Sequence, residues 1–224
     1  GPSAGLASTG SYNTAIGYQA LQTNTTASYS TAVGYQAGYS NTTGTENTAI
    51  GYASLYTNTT GTKNTALGVA LPSNTTGSYN TGLGHGALQS NTTASNNTAV
   101  GYQAGYANTT GTYLTALGTQ ALYSNTTGSY NSAVGQNALA SNTTGSYNSV
   151  LGMYALQNNT TASNNTAVGY QAGYSNTTAT DVVALGYRAA YNNTTALGTV
   201  AIGTQAGLSV TTGNYNVFVG PFAG

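Results

Sequence analysis

Five side chains could carry a charge or bind a metal: Glu46, Lys63, His85, Asp181 and Arg188. A metal site of the usual kinds needs three or four His, Cys or carboxylate ligands. His85 is the single histidine and there is no cysteine, so it reads as a plain surface substitution at the position after the marker glycine, where Tyr is the usual residue. General acid–base catalysis needs titratable partners placed together. Glu46 and Asp181 stand about eight repeats apart, roughly 38 Å at ~4.8 Å per coil, too far to cooperate. Ser and Thr are abundant, yet with no neighbouring base none is an activated nucleophile. The glycine-rich stretches lack the Lys of a phosphate loop. The residues therefore point away from an enzyme, and no catalytic residue, cofactor or metal is expected.

Two other residue types recur in fixed places. Asn opens an Asn-Thr-Thr at Asn24, Asn41, Asn58, Asn74, Asn91, Asn108, Asn125, Asn142, Asn159, Asn176 and Asn193. Each is formally an N-glycosylation acceptor. The same tripeptide is also what a tight turn would choose, with stacked amides bonding along the column. Nineteen of the 20 tyrosines fall in three columns, headed by Tyr12, Tyr18 and Tyr39. Stacked coils would bring such rings into aromatic contact, either as packing at the edges or as a surface that holds subunits or glycans.

A single register positions all of these. A glycine preceded by Ile, Val or Leu recurs at Gly17, Gly34, Gly51, Gly68, Gly84, Gly101, Gly118, Gly135, Gly152, Gly169, Gly186, Gly203 and Gly220. Every step is 17 residues except the one of 16 from Gly68 to Gly84. A short fixed period held this long marks a solenoid. Around each marker the chain alternates and suits a strand, and Asn-Thr-Thr-Gly-Ser has turn chemistry. The expected fold is all-β: a narrow parallel β-roll of about 13 coils, one repeat domain over residues 1–224. Two short strands and two tight turns are expected per coil. The branched aliphatics are expected to form the core: Ile16, Val33, Ile50, Leu67, Leu83, Val100, Leu117, Val134, Leu151, Val168, Leu185, Ile202 and Val219. The small residues on the same strand, such as Ala99 and Gly101, then offer a face that a second chain could approach closely. In the 16-residue coil, a bulge or shortened turn is expected after Gly68, with Pro72 off the hydrogen-bonded ladder.

Composition narrows the partners. Charged residues make up 2% and the net charge is zero, so no basic surface exists to neutralise phosphates and nucleic acid is not expected. No apolar run approaches the ~20 residues of a membrane helix. With no signal peptide visible, a mature chain or a fragment is expected. Gly1-Pro-Ser-Ala-Gly5 matches Gly220-Pro-Phe-Ala-Gly224 in phase, and neither end shows a cap. Each coil has too thin a core for an isolated monomer, so association into a trimer or an open filament is expected.

Two late coils carry a resemblance to a known family. Gly198-Thr-Val-Ala-Ile-Gly203 and Asp181-Val-Val-Ala-Leu-Gly186 resemble the Ser-Val-Ala-Ile-Gly repeats in heads of trimeric autotransporter adhesins. The Asn-Thr-Ala-x-Gly-Tyr-x-Ala form also resembles repeats of bacterial and phage tail-fibre-like surface proteins. The resemblance covers essentially the whole chain and implies a narrow roll trimerising side by side, with Val200 and Ile202 facing the core. The coil is longer than the family's usual one, and the stalk and membrane anchor are missing. The functional expectation is an extracellular structural or adhesive fibre on a cell or virion surface, with itself as partner. An adhesin head or tail-fibre module that binds a receptor or surface glycan is the alternative. Regular Thr rows also resemble those of ice-binding solenoids, which need a flat Thr face rather than turns.

Overall fold

A computed structural model describes residues 3–5 and 8–224; Gly1 and Pro2 of the in-phase amino-terminal match lie outside the described residues. The chain divides into two compact units, Gly1–Thr112 and Tyr113–Gly224. The first carries β1 (Thr14–Ile16), β2 (Thr31–Val33), β3 (Thr48–Ile50), β4 (Thr65–Leu67), β5 (Thr81–Leu83) and β6 (Thr98–Val100). The second carries β7 (Thr115–Leu117), β8 (Ser132–Val134), β9 (Ser149–Leu151), β10 (Thr166–Val168), β11 (Val183–Leu185), β12 (Val200–Ile202) and β13 (Val217–Val219). Among the described residues there is no helix. Within each unit every strand pairs in parallel with the next, residue on equivalent residue: Thr31 on Thr48, Ala32 on Ala49, Val33 on Ile50. The 16-residue step keeps the same register, with Thr65 on Thr81. The protein is a parallel β-solenoid with a 17-residue coil.

Each coil contains one three-residue strand rather than two strands, yet hydrogen bonding between coils continues around the perimeter. Leu21 N donates to Ala37 O at 3.0 Å, Thr25 N to Thr42 O at 3.0 Å, and Gln36 N to Tyr18 O at 2.9 Å. The chain turns between these bonds by stepping into the left-handed region. In the first full coil Tyr12, Gly17, Gln19 and Leu21 have φ of 61°, 127°, 55° and 50°. The same four places are left-handed in the next coil, at Tyr29, Gly34, Gln36 and Gly38. Such φ costs a non-glycine residue about 1–2 kcal/mol; it persists because a neighbouring coil in the same conformation accepts every bond. The 16-residue coil shows what can be omitted. Gly68 and Leu71 keep positive φ, but nothing corresponds to Gln19. The shortened turn expected after Gly68 is thus the loss of one left-handed corner. Pro72 lacks an N–H, and its carbonyl still accepts from Thr57 N at 3.1 Å.

The core is built of small residues. Ala32, Ala49, Ala66 and Ala99, the central residues of β2, β3, β4 and β6, are buried, as are Ala116, Ala133, Val150, Ala167, Ala184 and Ala201 in the second unit. A second buried column runs through Ala20, Ala37, Ser54, Ala70, Ala87 and Ala104. Leucines fill what remains: a Cβ on Gly38 would stand 3.0 Å from Leu21 Cδ2, and one on Gly105 3.0 Å from Leu88 Cδ2. Gly38, Gly105 and Gly173 each make room for the leucine of the coil before it.

The expectation that the branched aliphatics form the core is corrected. Ile16, Ile50, Leu67, Leu83, Leu151, Val168, Ile202 and Val219 are exposed, Leu151 by 52% and Leu67 by 38%. Val33, Val100, Leu117, Val134 and Leu185 are half-buried. Successive strand residues point to opposite faces, and the inward one is the alanine. Space decides this. A Cβ added to Gly82, the inward residue of β5, would already lie 3.2 Å from Ala70 Cβ and 3.3 Å from Leu71 Cγ, so the interior has little room for a branched side chain. The expected small, open face is corrected with it, since Ala99 is 0% exposed. The marker glycines serve close backbone stacking instead: a Cβ on Gly84 (φ 125°) would stand 2.7 Å from Gly101 O.

Candidate functional site

The ionisable residues do not assemble a reactive centre. Glu46 and Lys63 occupy one column on adjacent coils and form an exposed ion pair at 4.0 Å, a contact worth about 0–1 kcal/mol. Lys63 Nζ also stands 5.4 Å from the centre of the Tyr79 ring, in the same column. His85 is stacked on Tyr102 at 5.9 Å, and the Arg188 guanidinium covers Tyr191 at 4.1 Å. Among the described residues no three His, Cys, Asp or Glu gather as metal ligands, and no helix is long and apolar enough to cross a membrane.

The Asn-Thr-Thr asparagines form an internal ladder. All eleven, from Asn24 to Asn193, are at most 1% exposed. In the first unit Asn58 Nδ2 donates both to Asn41 Oδ1 at 2.9 Å and to Gly61 O, three residues on in its own turn, at 2.9 Å. Asn74 and Asn91 repeat this pair of bonds. In the second unit Asn142, Asn159 and Asn176 do the same. Both hydrogens of each such amide are committed inside the coil. Glycosylation, one of the two readings of Asn24, Asn41, Asn58, Asn74, Asn91, Asn108, Asn125, Asn142, Asn159, Asn176 and Asn193, would put a sugar on a buried Nδ2 in the core, so the burial favours the turn reading. A second buried column precedes the strands. Asn64 and Asn80 donate to Gly77 O and Ala94 O of the following coil, and their Oδ1 atoms accept from the next backbone N–H at 2.9 Å and 3.0 Å. Leu114, Val182 and Thr199 take that column's place in three coils of the second unit and are also buried.

Two features are left facing water. The first is the outer face of the strands, where the aliphatic ladder runs beside a hydroxyl ladder. In the first unit Ile16, Val33, Ile50, Leu67, Leu83 and Val100 flank Thr14, Thr31, Thr48, Thr65, Thr81 and Thr98. In the second unit the hydroxyl row is Thr115, Ser132, Ser149 and Thr166, then gives way to Val183, Val200 and Val217. A shallow groove on this face is lined by Ser132, Val134, Ser149, Leu151, Thr166 and Val168, with Val150 at its floor. It opens where Ser lacks the methyl of Thr. The sequence held a sign of this face: the alanine column is nearly uniform, as a tight interior demands, while its neighbour tolerates Ile, Val and Leu.

The second feature is the tyrosine columns. Tyr18, Tyr35 and Tyr52 stack at 5.4 Å, and Tyr39 and Tyr56 at 5.1 Å. Tyr12 and Tyr29 stack at 5.0 Å, and Tyr113, Tyr130 and Tyr147 at 4.9 and 5.0 Å. Within such a stack the flat faces cover one another and the edges and hydroxyls face outward. That is a poor platform for a sugar, which would need an open ring face.

No family model, no curated protein and no solved structure matches this chain.

Proposed function

We infer that the protein is a non-enzymatic structural solenoid that associates with copies of itself, side by side, and works as an extracellular fibre or adhesive element. The observation that supports this is the outer strand face: an unbroken row of aliphatic side chains in each unit, without a charged residue, beside small hydroxyls that give way to valines in the last three strands. Covering the part of an Ile, Leu or Val that is still exposed, about two-fifths to half of the side chain, yields about 0.6–1.5 kcal/mol. A handful of coils thus offsets the roughly 4–15 kcal/mol that rigid-body association costs. The paired surface differs from the Ala/Gly one expected from sequence, while side-by-side association itself is retained. The adhesin-head and tail-fibre resemblance is compatible with such pairing. The role of receptor- or glycan-binding module is the alternative within the same class.

The test is sedimentation of the wild-type chain beside a variant carrying Ile50→Glu, Leu67→Glu and Leu83→Glu, with circular dichroism on both. Oligomers for the wild type and a folded monomer for the variant are expected. A wild type that stays monomeric at micromolar concentration contradicts the proposal.

A second reading is favoured by the hydroxyl ladder. Thr14, Thr31, Thr48, Thr65, Thr81 and Thr98 lie on a strand face rather than in turns, the arrangement an ice-binding surface requires. Neighbours along the ladder stand about 4.8 Å apart, and hydroxyl and aliphatic rows about 6.7 Å apart. Ice binding needs this face free, whereas association buries it. Thermal hysteresis from a monomeric chain would favour ice binding; its absence would dismiss it.

A further inference from the structure

The tyrosines two residues before the strands form an arrangement that neither reading uses. Tyr113, Tyr130 and Tyr147 come from identical positions on three adjacent coils, with interplanar angles of 7° and 2°. Tyr12 and Tyr29 repeat the pair in the other unit at 11°. All five rings are exposed, Tyr12 and Tyr29 by 77% and 62%. Their backbones share one left-handed conformation, φ 57–61°, which holds successive rings in the same orientation. Other acceptors of oxidising equivalents are scarce: the chain has no Cys, no Trp and one Met.

We propose that these columns are sites of oxidative coupling, at which neighbouring coils become joined by a carbon–carbon bond between adjacent tyrosines. The co-reactant is a peroxide acting through a haem peroxidase or an equivalent one-electron oxidant. Each of two stacked phenols gives up one electron and its phenolic proton. The two phenoxyl radicals join through ring carbons ortho to their oxygens, and each of those carbons passes its hydrogen to oxygen, restoring two phenols. The two electrons and two protons removed convert one hydrogen peroxide to two waters. Stacking keeps the second radical beside the first, and exposure lets the oxidant reach the edges and the joined rings splay outward. The chain contains its own contrasts. In the same column Tyr79 lies between Lys63 and Asn96, and Tyr215 follows Gly198, so neither has a stacked partner from the preceding coil. Tyr154 meets Tyr170 edge-on, at 6.2 Å and 80°.

The test treats dilute, folded chain with a haem peroxidase and hydrogen peroxide, then maps cross-links by mass spectrometry of digests. Links Tyr12–Tyr29, Tyr113–Tyr130 and Tyr130–Tyr147 are expected within single chains, each with the loss of two hydrogens. Tyr130→Phe keeps a ring in the stack but no phenol, and should remove both links of its column while Tyr12–Tyr29 persists. Asn96 has the same left-handed backbone, φ 62°. Asn96→Tyr should add a link from Tyr79 to position 96, a gain that misfolding could not produce. Links found only between chains, a map identical to that of the chain in urea, or no new link in a folded Asn96→Tyr variant would each overturn the proposal.

Discussion

On each strand the two faces carry different residues for different reasons. Ala32, Ala49 and Ala66 point inward and are wholly or almost wholly buried, while their neighbours Val33, Ile50 and Leu67 point outward, half-buried or exposed. The inner row is small because the opposite wall of the coil is within contact distance: the Cβ that Gly82 lacks would touch Ala70 and Leu71. Nothing comparable limits the outer row, and there the chain places the larger aliphatics. On the strand the side chain that faces the core is the smaller one, and amides and leucines of the turns, such as Leu55 and Leu88, fill the rest of the interior. Most of the large apolar surface on the strand faces outward.

A charge on the inner face should have the largest effect. Ala133→Asp buries a carboxylate without a partner, at a cost of about 3–5 kcal/mol or more, and urea titration should show the second unit unfolding at markedly lower denaturant. Asn142→Ala comes next. It leaves the Nδ2 of Asn159 without the Oδ1 it donates to, and takes one donor each from Gly145 O and Asn125 Oδ1, which still accept from Asn131 Nδ2 at 2.7 Å and 3.5 Å. With about 1–3 kcal/mol for a buried group left unsatisfied, a loss of about 1–3 kcal/mol is expected by the same titration. The outer face should respond least. Val134→Glu, at a half-buried position, should change unfolding of the monomer by about 1 kcal/mol, while weakening association in sedimentation. A Val134→Glu loss as large as that of Ala133→Asp would show the two faces to be wrongly distinguished.

The coil was readable from sequence because its period is fixed by backbone contacts. A marker such as Gly84 is in contact with the next marker's carbonyl and has φ 125°, so it admits no other residue. The turn reading of Asn-Thr-Thr was legible for a similar reason, because a short amide reaching its own turn leaves a strict local pattern. The phase of the strand was not legible in the same way. Alternation shows that two faces exist without showing which is inside, and the larger hydrophobe is the customary choice for a core. The width of the coil settles the phase, and it depends on the left-handed corners. Tyr12, Gln19 and Leu21 adopt φ of 61°, 55° and 50°, values their residue types do not advertise. Those corners replace the second strand expected in each coil and bring the walls close. The committed amides of Asn58 and Asn142 follow from the same narrowness, which converts an apparent sugar acceptor into a core residue.

Because the chain has no cysteine, single thiols can report on the two faces directly. Ala49→Cys and Ile50→Cys place one thiol on the buried position and one on the exposed position of β3. Labelling each variant with a thiol reagent over a range of protein concentrations tests both the phase of the strand and the association proposed for it. Position 50 should react readily in dilute solution and become protected as concentration rises, while position 49 should be protected throughout. Rapid labelling at 49 with protection at 50 in dilute solution would contradict the fold's assignment of inside and outside. Labelling at 50 that is equally fast at every concentration would contradict association through the outer strand face.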